Sequence, residues 1–534
     1  MAGQLENARS TTGTRTRLPD VSPASGMCAI CVRECNVLCE VSKSAFRGRE
    51  VLYPNPEDFG KSTAAANKDY MLDWSHFQIM VDALGAHGVA PDPDVAIFPA
   101  VDVSTVAGGV PLKVPVFIAG LGSTRVAADH WAGLAIGAAL SGTIQVIGEN
   151  VCGMDPAARF DDAGRVMHSP ELARRVELYR RHWDGVHGDI VVQTNVEDAR
   201  FGVDLYALQA LGITTIERKW GQGAKAIGGE VRVSDLEQAL MLKRRGYIVH
   251  PDPTDETVQE AFKRGTFKSF ERHSRVGMPE ERSFIDDVAW LRANGARRVF
   301  LKTGAYKPAV VAFTLKCASQ ARLDLVTFDG AGGGTGMSPV PMMNECATPT
   351  VYLLAQVLSC IRILRAQGRY VPDIAIAGGF VNETQVFKAI AASNLGDGHG
   401  PCVKAVGMAR APLTAVMKSD YFVELSRNGG VPQRFAALYG QEPDAFFVSA
   451  PELRRLLGQA VGQDVPWPAV GLYTYLTDRL GVGLKQLMAG ARKWRLDLLS
   501  RDDLVALSER ASRVTGIPTL EEVAQQAMET ILQF

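Results

Sequence analysis

The sequence predicts an α/β protein whose main domain is a (β/α)8 barrel. Eight short, apolar, β-branched segments each lead into a glycine or polar turn and then into a helical segment. Apolar strands that alternate with helices are typical of a parallel sheet buried on both faces. Glycine-rich turns follow three of these segments, as expected where a barrel holds a ligand. A doubly wound open sheet is the alternative architecture.

The predicted strands share β-branched residues and end on glycine or a polar residue. They are 114–120, 143–148, 189–193, 214–220, 298–304, 323–330, 373–379 and 404–410. Apolar residues at helical spacing predict helices between them, for example 127–139 and 350–367. Asn382 is a candidate N-cap for the helix that follows the seventh strand. The stretch 221–297 is too long for a single loop, so we expect an inserted subdomain or lid.

Four parts are predicted along the chain. They are a disordered leader (1–20), an N-terminal cap with a cysteine cluster (21–110), the barrel (111–420) and a helical C-terminal extension (421–534). Helices in the extension are predicted at 449–461, 470–480, 484–498 and 504–515. The leader is polar and lacks the apolar core of a signal peptide, although its arginines leave an organelle-targeting segment as an alternative.

The composition excludes some classes of partner. Lysine plus arginine number 57 and aspartate plus glutamate 58, so no net charge favours nucleic acid or a membrane surface. The longest apolar runs are much shorter than the ~20 residues of a membrane span. We therefore expect a cytoplasmic enzyme, and a homo-oligomer in which the C-terminal extension packs or assembles.

The segment that begins at Asp329 is the most informative in the chain. Five glycines in seven residues, Gly330 to Gly336, follow an apolar strand. Glycine lets a backbone adopt positive φ and approach a ligand closely. Two further glycine turns, at 377–379 and 406–410, end the seventh and eighth strands, where barrels commonly bind phosphate.

A phosphate site, a glycine floor and a lysine at a strand end together predict bound FMN. Lys302 would stabilise the anionic charge of the reduced flavin ring, and an ion pair with a neighbouring carboxylate is the alternative. The residues predicted to contact the cofactor are Gly120, Gly122, Ser123, Gln193, Gln222, Lys302, Asp329, Gly330, Gly333, Gly334, Gly378, Gly379, Gly407 and Met408. The phosphate is expected on the last four of these.

Several motifs match one family in order along the predicted barrel. They are Gly148-Glu149, Gln193 with Arg200-Phe-Gly-Val203, Glu217 and Lys219 with Gln222-Gly-Ala-Lys225, Lys302, and Gly333-Gly-Thr-Gly-Met-Ser-Pro339. This region resembles the FMN-binding synthase domain of glutamate synthase, whose last motif is Gly-Gly-Thr-Gly-Ala-Ser-Pro.

The resemblance implies a reaction and its partners. In the family, 2-oxoglutarate and ammonia form 2-iminoglutarate, which reduced FMN converts to glutamate. The resemblance and the strand-end positions make Lys302, Glu149, Lys219, Lys225 and Arg200 the candidate catalytic and substrate-binding residues. It also implies electrons from ferredoxin or a reductase subunit.

Four departures qualify this interpretation. Asn150 and Val151 replace two glycines of the family motif, and Gly332 stands where an acidic residue is usual. The family's cysteine triad is missing from 417–426. No glutaminase half is recognised, so ammonia is expected free or from a separate glutaminase subunit. A different amine or imine substrate, or a non-catalytic ligand-binding subunit, remains an alternative.

Four of the nine cysteines cluster near the N-terminus, at Cys28, Cys31, Cys35 and Cys39. Four thiolates within twelve residues, in a compartment expected to be reducing, indicate a metal site. Beside a flavin that needs electrons we expect a 4Fe–4S cluster. A structural zinc ion and a buried cysteine stripe on one helix face are the alternatives, since the spacing also fits helical turns.

Overall fold

Eight parallel strands close into a barrel in the computed structural model, which describes residues 69–223, 227–228, 230–333 and 338–533 and the single position 45. The strands are β1 (Val116–Leu121), β2 (Gln145–Ile147), β3 (Ile190–Thr194), β4 (Thr215–Lys219), β5 (Arg298–Gly304), β6 (Leu325–Asp329), β7 (Asp373–Ala377) and β8 (Val403–Met408). They follow one another around the barrel in sequence order, and β8 pairs with β1 to close it. The predicted (β/α)8 barrel is confirmed, and the open sheet is wrong.

The amino-terminal end of the barrel is filled by apolar side chains. Alternate residues of each strand point inward, and Phe117, Val191, Phe300 and Leu325 form one buried cluster there. A hairpin of strands Thr105–Ala107 and Val110–Leu112 contributes to the same cluster and closes that end. Polar side chains that could act on a ligand are therefore expected at the opposite, carboxyl end of the barrel.

Helices surround the barrel. They are Arg125–Asp129, Trp131–Leu140, Val151–Met154, Pro170–Arg180, Val196–Arg200, Val203–Leu205, Glu281–Ala293, Pro308–Gln320, Val340–Glu345, Thr350–Ala366, Glu383–Ala392 and Arg410–Arg427, with π-helical turns at Tyr206–Ala210. Asn382 caps its helix as predicted, because its side chain accepts the backbone N–H of Gln385. The single helix predicted at 127–139 is wrong, since His130 leaves helical geometry and divides it in two.

A small subdomain lies between β4 and β5. Strands Glu230–Val233 and Ile248–His250 flank Phe270–His273 in an antiparallel sheet. Helices Leu236–Arg244 and Glu256–Lys263 connect them. We call residues 221–297 the insertion. Because it follows β4, it begins at the carboxyl end of the barrel.

The C-terminal region packs back onto the barrel helices. Its elements are Gln433–Tyr439, Pro443–Phe446, Ala450–Leu457, Trp467–Tyr473, π-helical Thr474–Gly481, Val482–Gly490, Glu509–Thr515 and Leu520–Ile531. The helix predicted to begin at 504 is wrong at its start, because Leu504–Ala506 is a strand that pairs antiparallel with Phe77–Ile79. Among the described residues, no helix combines the length and apolar composition that crossing a bilayer requires.

Candidate active site

A layer of polar side chains lies directly above the apolar interior of the barrel. Val191, Phe300 and Leu325 point into the apolar interior of the barrel. Because side chains alternate along a strand, the residue two positions after each of them also points into the barrel. These later residues are Gln193, Lys302 and Thr327. Glu217 of β4 lies beside them, and all four side chains are buried. Lys219 and Asp329 stand one step nearer the carboxyl end of the same strands.

Lys302 forms a buried ion pair inside this layer. Its Nζ lies 3.2 Å from Oδ2 of Asp329, and its side chain is only 8% exposed. Burial alone would lower the pKa of Lys302, but the carboxylates of Asp329 and Glu217 raise it above its ordinary value. The lysine is therefore a fixed cation at the end of β5. Lys302 therefore forms the ion pair with a neighbouring carboxylate that was the alternative prediction for it. The predicted contact between Lys302 and a flavin stays a prediction.

Glu217 and Gln193 form the neighbouring part of the layer. Gln193 Nε2 donates to Glu217 Oε1 at 2.5 Å. Burial raises the pKa of Glu217, although the nearby Lys302 cation opposes the shift. Within the described residues, Gln193 Oε1 and Thr327 Oγ1 are buried without a hydrogen-bond partner. Because buried polar atoms are normally satisfied, these two mark where a polar ligand would bind.

A second ion pair borders a cavity beside the barrel mouth. Lys219 Nζ donates to Glu149 Oε1 at 2.7 Å and to Gln222 Oε1 at 2.9 Å. Burial would raise the pKa of Glu149, but the Lys219 cation lowers it to about 2. All three side chains line a cavity of about 360 Å³, together with Arg275. Its apolar lining includes Trp220, Tyr306, Val310 and Phe313.

The glycine turns after β6 and β7 lie in backbone contact with each other. Gly378 has φ +109°, and a Cβ there would lie 2.7 Å from the amide nitrogen of Gly330. A Cβ on Gly332 would lie 2.8 Å from the carbonyl oxygen of Gly378. Gly379 also has positive φ (+93°), whereas a Cβ on Gly407 would lie 2.9 Å from Phe117 Cζ. Close packing therefore favours glycine at 332, 378 and 407, and positive φ favours it at 378 and 379, whatever ligand they bind.

The helix after β8 offers backbone donors at the same end. Arg410–Arg427 begins after Ala409, which provides no side-chain cap for its first turn. Met408 is buried, and its sulfur lies 3.7 Å from the hydroxyl of Tyr475 in the C-terminal region. Any contact of Met408 with a phosphate would thus involve its backbone.

The remaining predicted cofactor residues surround the mouth between β1 and β2. A Cβ on Gly120 would lie 2.8 Å from Gln193 Oε1, and one on Gly122 would lie 2.6 Å from the carbonyl oxygen of Glu149. Ser123 is half-buried at the same turn. On the β6 turn, the half-buried Gly333 donates its N–H to the carbonyl of Gly330 at 3.1 Å.

Arg200 is engaged elsewhere. Its Nε donates to Glu197 Oε2 at 3.0 Å, and Nη2 donates to the carbonyl of Arg245 in the insertion. Its guanidinium also stacks on Phe201, 4.1 Å from the ring centroid. These contacts tie a barrel loop to the insertion, and Arg200 does not line the cavity with Lys219.

Several predicted residues lie outside the described part of the chain. They are Lys225, Gly334 and the four cysteines Cys28, Cys31, Cys35 and Cys39. Within the described ranges, no group of three or more histidine, cysteine, aspartate or glutamate side chains is arranged to hold a metal ion. The predicted cluster therefore stays a prediction.

Three residues of the site, Thr327, Arg275 and Asp198, were not found from the sequence. Arg275 reaches the cavity from the insertion and pairs with Glu197 at 2.9 Å. Asp198 is fully buried under the β2 and β3 turns, and burial raises its pKa to about 7 although backbone N–H groups oppose the shift. The spacing Asn195-x-x-Asp198 indicates a helix start, which gives no sign of a role at the site.

We expect Lys219→Met to weaken the fold in a pH-dependent way. The lowered pKa of Glu149 means that its ionised form stabilises the folded state above about pH 4.5, and that this contribution is lost as pH falls towards 2. Losing a hydrogen bond between charged groups costs about 1.5–3 kcal/mol. The melting temperature of the variant should therefore lie below that of the wild type at about pH 7, and the gap should narrow at about pH 3. Arg181→Met, which breaks an exposed pair with Glu177, is the control and should change little. A gap that stays constant with pH would contradict this assignment.

Comparison with known proteins identifies a family region. A family model described as a conserved region in glutamate synthase matches residues 273–413, which contain β5 to β8. No curated protein sequence matches the chain significantly.

Several solved structures match the chain at low similarity. An (S)-mandelate dehydrogenase described as a monotopic membrane protein is 14% identical, with 81% of this chain and 89% of that chain covered and a TM-score of 0.44. A flavocytochrome b2 variant with bound sulfite is 13% identical, with 85% and 81% covered and a TM-score of 0.44. A mandelate oxidase variant with an FMN adduct is 12% identical, with 79% and 86% covered and a TM-score of 0.39. Residues 273–413, which supply β5 to β8 of the closed barrel, are thus similar to the conserved region of glutamate synthase.

Proposed function

We propose that the protein is an FMN-dependent oxidoreductase that reductively aminates a 2-oxo acid, with 2-oxoglutarate as the first candidate. The observation that carries this proposal is the buried polar layer of Gln193, Glu217, Lys302 and Thr327 beside the Glu149–Lys219 cavity. A cation and unsatisfied hydrogen-bonding atoms at the carboxyl end of a barrel are typical of a catalytic site.

The residues present fit FMN on two counts. Gln193 Oε1 and Thr327 Oγ1 lack partners among the described residues, and a flavin ring edge would supply them. Gly378 and Gly379 carry no side chains and are not fully buried, so a phosphate can approach their backbone N–H groups, whereas Gly407 is buried within β8. When bound, FMN would supply hydride to the imine carbon. Lys302 would hold the negative charge of the reduced ring.

Lys219 is the best-placed group for a substrate carboxylate. An ammonium group has three N–H donors, and Glu149 and Gln222 take two of them. Within the described residues no third acceptor bonds to Lys219 Nζ, so that donor can face a ligand in the cavity, which is also lined by the Glu197-paired Arg275. Reduction of a 2-imino acid places hydride on carbon and a proton on nitrogen, which gives the amino acid. We retain Lys225 as a further carboxylate ligand, and we do not retain Arg200.

A second candidate is the same reduction with a substituted amine in place of ammonia. The apolar lining from Trp220, Tyr306, Val310 and Phe313 favours it, since ammonia would need no such surface. A non-catalytic ligand-binding subunit is the third possibility, and turnover separates it from the other two. For electron supply we propose ferredoxin or a reductase subunit, and for ammonia a separate glutaminase subunit or free ammonium.

Lys302→Ala should weaken flavin binding on the order of tenfold or more, about 1.4 kcal/mol, because it removes the buried cation beside the ring. Flavin content is measured from the visible absorbance of the purified protein and from FMN released on denaturation. Lys404→Ala is the matched control, since Lys404 lies in β8 but alternates away from the inward-facing Ala405. A variant that retains full flavin content and normal reduction would remove Lys302 from the site. Wild-type protein that stays colourless after reconstitution would remove FMN.

Reduced protein should be reoxidised anaerobically by 2-oxoglutarate plus ammonium, with glutamate as product. The flavin is reduced with dithionite, the substrates are added, and the long-wavelength flavin band and glutamate formation are followed. Glutamine should be inert without a partner, and NAD(P)H should reduce the flavin poorly. A panel of substituted amines tests the second candidate. If no 2-oxo acid and amine pair restores the oxidised spectrum, reductive amination is not the function.

The cysteines Cys28, Cys31, Cys35 and Cys39 should ligate one 4Fe–4S cluster. Iron and acid-labile sulfide analysis of anaerobically purified protein should give about four of each per chain. Serine substitution of all four should abolish both while the flavin spectrum persists. One zinc ion without sulfide would replace the cluster by a structural site.

A further inference from the structure

Asn150 adopts a backbone conformation that few residues tolerate. It directly follows Glu149 at the end of β2, and its φ is +65°. Asparagine is one of the few side chains that enter this left-handed region without large strain. The position is also one where this sequence departs from the Gly-Gly of the glutamate synthase motif. Asparagine, like glycine, can adopt this left-handed conformation, and it adds a side chain.

The backbone of Asn150 is fixed from below by Asp198. Its N–H donates to both carboxylate oxygens, at 3.1 Å and 3.0 Å. Asp198 Oδ2 also accepts the N–H of Asn195 at 3.2 Å, so one buried carboxylate joins the turns after β2 and β3. The orientation of the turn that carries Glu149 therefore depends on Asp198.

The side chain of Asn150 reaches the insertion. Its Oδ1 accepts the hydroxyl of Tyr247 at 3.2 Å, and Tyr247 is buried. Gly153 makes room for this tyrosine, because a Cβ there would overlap the hydroxyl. The guanidinium of Arg272 lies 4.9 Å from the centre of the Tyr247 ring and donates to Ser274 Oγ at 2.6 Å. Tyr247 is thus held between the barrel and the sheet of the insertion.

The two sides joined by this contact line the same cavity. Glu149 comes from the barrel, whereas Gly228, Arg275 and Val276 come from the insertion. We propose that Asn150, Asp198 and Tyr247 form a clasp that holds the insertion against the Glu149 turn and so sets the width of the substrate cavity. They are positioning residues, and the proposal rests on the proposed function only in treating that cavity as the substrate site.

Two mild substitutions remove the hydrogen bond between Asn150 and Tyr247 and keep the bonds from the Asn150 N–H to Asp198. Tyr247→Phe deletes only the hydroxyl. Asn150→Gly deletes the acceptor, keeps the N–H that Asp198 holds, and suits the left-handed conformation. A neutral hydrogen bond is worth about 0.5–1.5 kcal/mol, which corresponds to roughly a two- to tenfold effect on an opening equilibrium.

The first test measures amide hydrogen exchange by mass spectrometry on the full-length protein. In both variants, peptides from 230–277 and from the Glu149 turn should exchange two- to tenfold faster, and the double variant should exchange no faster than the single ones. The control is Tyr179→Phe, which removes another buried tyrosine hydroxyl, bonded to the carbonyl of Thr143 at the opposite end of the barrel. It should leave exchange in the insertion unchanged.

The second test is kinetic. Each variant should raise KM for the 2-oxo acid several-fold, while flavin content and kcat stay close to wild type. Unchanged exchange in both variants, or additive effects in the double variant, would overturn the clasp. Altered exchange with no turnover of any 2-oxo acid, in wild type or variants, would leave the clasp standing and refute the proposed function.

Discussion

The buried ion pair between Lys302 and Asp329 is the interaction on which the carboxyl end of the barrel depends. Burying an ammonium group is costly unless a counter-charge and hydrogen bonds accompany it. Here the parallel register of β5 and β6 places Asp329 opposite Gly304, two residues beyond Lys302, so the pair spans adjacent strands. Replacing both partners by apolar residues would often be as stable. Their presence above a well-packed apolar layer therefore argues for a chemical role and against a purely structural one.

The pair also sets the charge of its neighbours. Lys302 opposes the rise in the pKa of Glu217 that burial causes, and it adds to the effect of Lys219 on Glu149. Two lysines and three carboxylates thus share one small volume. A dicarboxylate substrate entering the cavity would meet cations whose charge is already partly balanced. If it binds Lys219 through the remaining N–H donor, its carboxylate lies beside Glu149, which makes the position of the Glu149 turn important for affinity.

The sequence predicted the barrel and most of the strand-end residues because both follow from local patterns. Apolar runs identify strands, and the carboxyl ends of parallel strands meet at one place, so residues such as Gln193, Lys219 and Lys302 converge without any knowledge of distances. Contacts between segments that are distant in the sequence produce no local sequence pattern from which they could be predicted. The strand Leu504–Ala506 exists because it pairs with Phe77–Ile79, more than 400 residues earlier. The family motif predicts that Arg200 binds substrate, yet its guanidinium donates to Glu197 and to the carbonyl of Arg245 in the insertion.

The glycine at Gly378 and the asparagine at Asn150 show two solutions to the same constraint. Both positions need positive φ at the end of a strand, and at Gly378 the adjacent Gly330 backbone excludes any side chain. At Asn150 there is space, and a side chain in that space can bond to Tyr247. Asparagine, one of the few side chains that tolerate positive φ, can therefore occupy the turn at position 150. In this chain the replacement connects the turn of a candidate catalytic residue to the insertion. The barrel supplies Glu149 and Lys219 to the cavity, the insertion supplies Arg275, and that connection holds the two parts of the lining against each other.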